Sequence, residues 1–257
     1  MHILLTNDDG VFAPGLAALA QALNRLGEVT VLAPDRNWSA AGHVKTMHRP
    51  LRVWESKLAS GEPALATDGS PADCIALAVL GLVQDPIDLV VSGINPFPNL
   101  GQDVTYSGTV TAAMEAIING LPGIAFSLDA GEEKVQELAF ESAAAHALQL
   151  TRQIMSKGLP NGIFLNVNIP YRPVGQLRGV QITHQGQRVY RDALVVRQDP
   201  RGRTYYWIGG DSPTGVRDPD TDFRALAEDY ISITPLQLDL TAYNVKAELE
   251  GWNLGVS

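Results

Sequence analysis

The sequence predicts an open, doubly wound α/β (Rossmann-like) sheet, mostly parallel, with a β-hairpin extension. Two observations carry that prediction. Short β-type runs alternate with helical apolar periodicity through the first 170 residues. Such alternation demands crossover connections, and hence parallel strands covered on both faces. Beyond Pro170 the helical pattern stops and strand-like runs follow one another directly.

His2–Thr6 opens the chain as a short strand, and Val29–Ala33 is the next. Between them Leu16, Leu19, Ala20, Leu23 and Leu26 recur at helical spacing and end at Gly27. Ser70-Pro71-Ala72-Asp73 supplies an N-cap, a proline at N1 and a carboxylate at N3 for a helix running to about Leu82. Leu89–Ser92 reads as a buried strand, and Ser107-Gly108-Thr109 leads into a helix through about Ile118, closed by Asn119-Gly120. Gly123–Ser127 is a strand, Glu132–Ser156 a long helix and Phe164–Ile169 another strand. Val180–Thr183, Arg188–Val196 and Thr204–Ile208 then read as strands of a β-rich appendage projecting from the core. Tyr230–Thr234 is the last strand.

Composition narrows the function classes. With 257 residues, 45% of them hydrophobic, the chain buries roughly 70–75% of its unfolded surface without disulfides or structural metal. The lone Cys74 excludes a disulfide framework or a Cys-rich zinc module and suits a reducing compartment. Lys and Arg total 19 against 28 Asp and Glu, a net charge of −9 that argues against a nucleic-acid polymer as partner. An anionic small substrate then needs a bound cation or a helix N-terminus to attract it. Met1–Leu5 lacks the basic start of a secretory signal, and the apolar stretch Ala72–Val83 is too short for a bilayer, so a cytoplasmic protein with no membrane partner is expected.

In open α/β sheets ligands bind outside the carboxyl ends of the strands. The first strand runs into Asn7-Asp8-Asp9-Gly10, two adjacent carboxylates that are costly in a buried position unless something pairs with them. The second strand leads to Pro34-Asp35-Arg36-Asn37-Trp38-Ser39, and the strand at Leu89 leads to Gly93-Ile94-Asn95. Asp8, Asp9, Ser39 and Asn95 form an all-oxygen set that suits a hard divalent cation, Mg²⁺ or Mn²⁺. The helix beginning at Ser107-Gly108-Thr109 adds backbone N–H groups and two hydroxyls, a ready anion site. A metal beside such a helix start points to phosphoryl chemistry. The bland alternative makes Asp9-Gly10 a turn and Asp8 a helix cap.

These motifs resemble those of the SurE family, the stationary-phase survival nucleotidases. The resemblance rests on Thr6–Gly10, Ala33–Asn37 with Ser39, Ser92–Asn95, Tyr106–Val110, Asn166-Val167-Asn168-Ile169-Pro170 and Ser232–Leu236, six motifs in order across nearly the whole chain. It implies a 5′-nucleotidase, a phosphoric monoester hydrolase that releases phosphate from nucleoside 5′- and 3′-monophosphates, with short polyphosphate as a further substrate of some members. It implies one divalent metal ion on Asp8, Asp9, Ser39 and Asn95, the same four residues reached from the strand ends. It also implies one unit over residues 1–257: an α/β core (1–170), then a hairpin extension, a returning strand and a C-terminal arm exchanged within a homodimer or homotetramer (171–257).

On this reading Asp8 and Asp9 are the catalytic pair, either one able to serve as base for an attacking water. Asn7, Asn37 and Asn99 are candidates for orienting the phosphate, and Ser107, Gly108 and Thr109 for holding its oxygens. One departure stands out. Where the family carries Asn-x-Gly-x-Asn, this chain has Asn95-Pro96-Phe97-Pro98-Asn99. A phenylalanine in a left-handed glycine position is strained, so the loop either follows another path or sets Phe97 against a nucleobase. Trp38 and Tyr106 flank the same region.

Other signals are weaker. His43 and His48 flank the Ser39 loop as candidates for assisting leaving-group departure, while His2, His146 and His184 read as structural. Asp218, Asp220 and Asp222 resemble the start of a calcium loop, but Phe223 and Asp229 stand where that loop needs Gly and Glu, so a turn and helix cap is expected. No Gly-x-Gly-x-x-Gly follows the first strand and no Walker-type motif is present. The rival class is a non-catalytic nucleotide or metal sensor on the same fold.

Overall fold

A computed structural model describes residues 1–131, 138–173, 175–252 and 254–255, with residues 211–213 described by backbone alone. In chain order its elements are β1 (His2–Thr6), α1 (Pro14–Leu23), β2 (Glu28–Pro34), β3 (Val53–Lys57), β4 (Pro63–Thr67), α2 (Pro71–Leu77), β5 (Leu89–Asn95), α3 (Gly108–Ile118), β6 (Gly123–Asp129), α4 (Glu141–Lys157) and β7 (Ile163–Pro170). There follow β8 (Gly179–Ile182), β9 (Arg188–Gln198), β10 (Thr204–Gly215), α5 (Asp222–Ala227), β11 (Tyr230–Gln237) and α6 (Tyr243–Glu250).

Nine strands form one sheet in the order β3-β4-β2-β1-β5-β6-β7-β11-β8. The run from β4 to β7 is parallel, β3 and β11 run against their neighbours β4 and β7, and β8 is parallel to β11. Alternation along β1 shows why both faces are covered. Ile3 and Leu5 belong to the cluster that also holds α1 and α4, whereas Leu4 packs with Cys74, Ile75 and Ala112 of α2 and α3. A strand buried on both sides is the reason the run reads as continuously apolar.

The sheet reverses its winding at β1. The chain moves from β1 to β2 on one side, then returns to place β5 on the other, with Leu5 paired to Val31 and Thr6 to Ser92. The loops leaving β1, β2 and β5 therefore open onto one crevice, the position where doubly wound sheets bind ligands.

Several expectations are corrected by the structure. The first helix ends at Leu23 and residues 24–26 form a turn. The helix from Pro71 stops at Leu77, and a looser turn to Leu82 follows in which Gly81 takes φ +118°. The helix expected from Glu132 begins at Glu141, since residues 138–140 are not helical, and residues 132–137 lie outside the described ones. The hairpin β3–β4 escapes the periodicity reading because one strand is polar and the other starts on a proline. Only β9 and β10 form the projecting hairpin; β8, expected in the appendage, lies at the edge of the main sheet beside β11. The Asp218–Asp222 segment is a turn and cap: Thr221 accepts the Arg224 N–H and starts α5. None of the residues of α6 is buried. Among the described residues, no helix is long and apolar enough to cross a membrane.

Candidate active site

The site begins where β1 gives out. Gly10 completes the turn at φ +101°, a conformation that glycine adopts without steric cost. Asn7, fully buried, holds the turn by donating Nδ2 to the Gly10 carbonyl at 3.0 Å and accepting the Gly10 N–H at 3.2 Å. Both ends of its amide are thus engaged, and the structure does not bring Asn7 to the crevice as a phosphate contact.

Asp8 is buried and addresses the start of α3. The Thr109 hydroxyl donates to its Oδ1. Burial pushes the Asp8 carboxyl above its ordinary range, while Thr109 and the backbone N–H groups of Asp8, Thr109 and Gly108 pull it back. A Cβ on Gly108 would lie 2.6 Å from the Asp8 Cβ, so only glycine lets the helix start come this close. The anion at the N-terminus of α3 is therefore Asp8 itself. The N–H groups of Gly108 and Thr109, expected to be free for phosphate, face this carboxylate. Ser107 caps α3 by accepting the Val110 N–H at 3.1 Å, which leaves its own O–H as a donor.

Asp9 addresses the loop after β2. Asn37 Nδ2 reaches Asp9 Oδ1 at 3.4 Å, and Asn37 Oδ1 accepts the Ser39 N–H at 2.7 Å. The Trp38 N–H donates to the Asp8 carbonyl at 2.7 Å, drawing the same loop onto the end of β1. Asn37 thus ties Asp9 to Ser39, a closer role than the phosphate contact expected of it. Burial first, and then the neighbouring Asp8 charge, raise the Asp9 carboxyl from 3.8 to about 7.

The third strand end is equally constrained. Asn95 is nearly buried and its Nδ2 donates to the Phe97 carbonyl, which leaves Oδ1 as its remaining acceptor. Asn99 donates its backbone N–H to Asn168 Oδ1 at 2.8 Å and its Nδ2 to Ser127 Oγ at 2.8 Å. Its carbonyl accepts Asn166 Nδ2 at 2.8 Å and Asn168 Nδ2 at 3.1 Å. Asn99 is an anchor of the loop, and the Asn-x-Asn pattern of β7 is what holds it. Two asparagines at i and i+2 point to one face of a strand, a signal visible in the sequence that pairing alone could interpret.

The donor set fits a hard cation. Asp9 Oδ2 is buried with no hydrogen-bond partner, an arrangement that costs free energy unless a cation or proton occupies it. Two carboxylates, an amide oxygen and a hydroxyl are oxygen donors suited to Mg²⁺ or Mn²⁺. Among the described residues no group of three or more His, Cys, Asp or Glu gathers as a metal site, so nothing offers a zinc-type cluster.

A second polar cluster, missed from sequence, fastens the Ser39 loop. Glu115 of α3 lies 2.8 Å from the His43 ring and accepts Lys45 Nζ at 2.9 Å. Burial pushes the Glu115 carboxyl up, but hydrogen bonds from His43, Lys45 and Asn119 outweigh it and hold the group at about 2. Thr46 donates twice to Asp73 of the α2 capping box, at 2.8 and 2.6 Å. His43 is therefore engaged as a clamp, while His48 is exposed.

Fold and site together define an open doubly wound α/β protein with an all-oxygen donor set at its switch point. The family model of the survival protein SurE matches residues 3–192. The 5′-nucleotidase SurE of Chloroflexus aggregans is 52% identical over 252 residues, 98% of this chain and 99% of that protein. The protein of the same name from Herpetosiphon aurantiacus is 52% identical over 94% of each chain. The crystal structure of the SurE protein from Aquifex aeolicus superposes with a TM-score of 0.82 at 39% identity, covering 97% of this chain and 98% of that one. The chain belongs to the SurE family.

The Asp9 carboxyl sets a pH signature. A folded-state pKa raised from 3.8 to about 7 means that the metal-free fold keeps a proton the unfolded chain releases. That stabilisation is complete below about pH 4 and is lost as pH rises through 7. In chelator, thermal melts of the wild type are expected to lose stability between about pH 4 and 7 relative to Asp9→Asn. Parallel melting curves of the two proteins across that range would contradict the assignment.

Proposed function

We propose that this chain is a metal-dependent phosphomonoesterase that hydrolyses nucleoside 5′- and 3′-monophosphates to nucleoside and phosphate. The observation that carries the proposal is the pair of buried Asp8 and half-buried Asp9, the latter with a buried, unpartnered Oδ2, at the switch point beside the N-terminus of α3. Full-length likeness to proteins named 5′-nucleotidase SurE supports the substrate class and disfavours a non-catalytic sensor.

In this reading Asp8, Asp9, Ser39 and Asn95 hold one divalent cation, Mg²⁺ or Mn²⁺. When bound, such a cation polarises a phosphoryl oxygen and acidifies water at neutral pH. Thr109 and Gly108 fix Asp8, and Asn37 fixes Asp9 against Ser39, so that the ligands are oriented before substrate arrives. Asp9, held by one long contact from Asn37, is the member of the pair freer to serve as base, since Asp8 is already engaged by Thr109 and the helix start. Ser107 donates its O–H to a phosphoryl oxygen. Asn99 acts by holding the Asn95 loop in place.

The same reading takes residues 1–257 as one cytoplasmic unit, with the hairpin and the C-terminal arm serving assembly. Tyr206, Trp207 and Ile208 of β10 and Leu240 near α6 are 63%, 65%, 83% and 92% exposed in a single chain, apolar surface that soluble proteins usually cover. Light scattering at micromolar concentration is expected to give the mass of a dimer or tetramer; a monomer mass would remove this part of the proposal.

The activity test is direct. Phosphate release from a panel of nucleoside monophosphates is expected with Mg²⁺ or Mn²⁺, to vanish with chelator, and to fall to the chelator background in Asp8→Asn. Full turnover by Asp8→Asn with metal present, or no turnover by the wild type under either metal, would refute the proposal.

A further inference from the structure

We infer that Phe97 is a platform on which the substrate's nucleobase stacks, and that it sets a preference of this chain for nucleotides over base-free phosphate esters. The inference rests on the phosphomonoesterase reading and names the group that recognises the leaving nucleoside.

The backbone around Phe97 is tightly held. Its carbonyl accepts the side chain of Asn95, and Asn99, two residues on, is anchored to Asn166, Asn168 and Ser127. Pro96 and Pro98 fix φ on either side near −65°. Pro96 and Asn99 are buried, yet Phe97 between them is 50% exposed. A rigid loop has turned a large apolar ring outward beside a proposed metal ligand.

Backbone need does not explain the residue. The described non-glycine residues at positive φ are Ala40, Asp220 and Asp229, so Phe97 adopts an ordinary conformation and the loop follows a path that requires no glycine. Burial does not explain it either. The ring gains little from packing and loses solvent entropy while exposed. What an immobilised, half-exposed aromatic offers is a flat surface at low conformational cost, which stacks on every base and most strongly on the two-ring purines.

The neighbouring aromatics are less available for that role or complement it. Trp38 carries the Arg36 guanidinium 5.3 Å from its ring centre, so one face is already occupied. Tyr106, 59% exposed, sits just before the N-cap of α3 and is tied by its carbonyl to Gly42 at 2.9 Å. Trp38 adjoins Ser39 but has one face covered by Arg36, whereas Phe97, two residues from Asn95, is half-exposed.

Two readouts test the inference. Adenosine, which has no phosphate, reads the platform apart from the chemistry: calorimetry is expected to show binding to the wild type, about tenfold weaker binding to Phe97→Gly, and recovery in Phe97→Trp. In turnover, Phe97→Gly is expected to raise KM for adenosine 5′-monophosphate by about tenfold at little change in kcat, and to leave ribose 5-phosphate hydrolysis unaltered. Equal adenosine binding by wild type and Phe97→Gly, no adenosine binding by the wild type, or an equal loss on both substrates would overturn it. A wild type that binds adenosine in this Phe97-dependent way but hydrolyses neither ester would uphold the platform and refute the phosphomonoesterase reading instead.

Discussion

Two adjacent carboxylates at the carboxyl end of a fully buried strand are the constraint around which this molecule is arranged. Among the described residues neither Asp8 nor Asp9 pairs with a basic side chain, and burial disfavours the charged form of each. The protein meets this cost unequally. Asp8 is given the start of α3 and the Thr109 hydroxyl, whereas Asp9 is given one long contact from Asn37 and an oxygen with no partner. The asymmetry leaves one place for a proton or a cation.

Much of the surrounding structure serves that arrangement. Gly108 is small because a side chain there would strike Asp8. The Ser39 loop is drawn in by Trp38 at one end and clamped through His43 and Lys45 to Glu115 at the other. Since Glu115 and Thr109 lie on the same helix, α3 positions both sides of the site at once. The β7 asparagines do the same for the Asn95–Asn99 loop from the opposite edge of the crevice. A buried polar network of this kind is rigid where its hydrogen bonds are complete and reactive at an open carboxylate oxygen such as Asp9 Oδ2.

How much of this was legible in the sequence depended on the range of the interaction. The end of β1 and the start of α3 follow from local signals, an apolar run or a cap residue, and Asp8, Asp9 and Asn95 drew attention because they sit just past β1 and at the last residue of β5. The capping box at Ser70 and Asp73 was read for the same reason. What failed to show was non-local. His43 and Glu115 are 72 residues apart, and nothing near either one announces the other. The strand β8 looks like part of a hairpin run until its partner β11, some fifty residues later, claims it for the main sheet. Asn7 and Thr109 were expected to contact phosphate, yet their side chains serve the Gly10 turn and Asp8, a distinction that only partners reveal. The Phe97 loop shows the opposite case: its sequence departs from the family pattern, while its backbone proves unstrained.

The central claim is that the open atom of this network belongs to a single hard cation. Anomalous diffraction from crystals soaked in Mn²⁺ tests it without recourse to activity. The account predicts one strong peak, within ligand distance of Asp8, Asp9, Ser39 and Asn95, roughly 2.0–2.6 Å from their oxygens. An ordered Mn²⁺ elsewhere with none at these four residues, or two ions sharing the crevice, would contradict it.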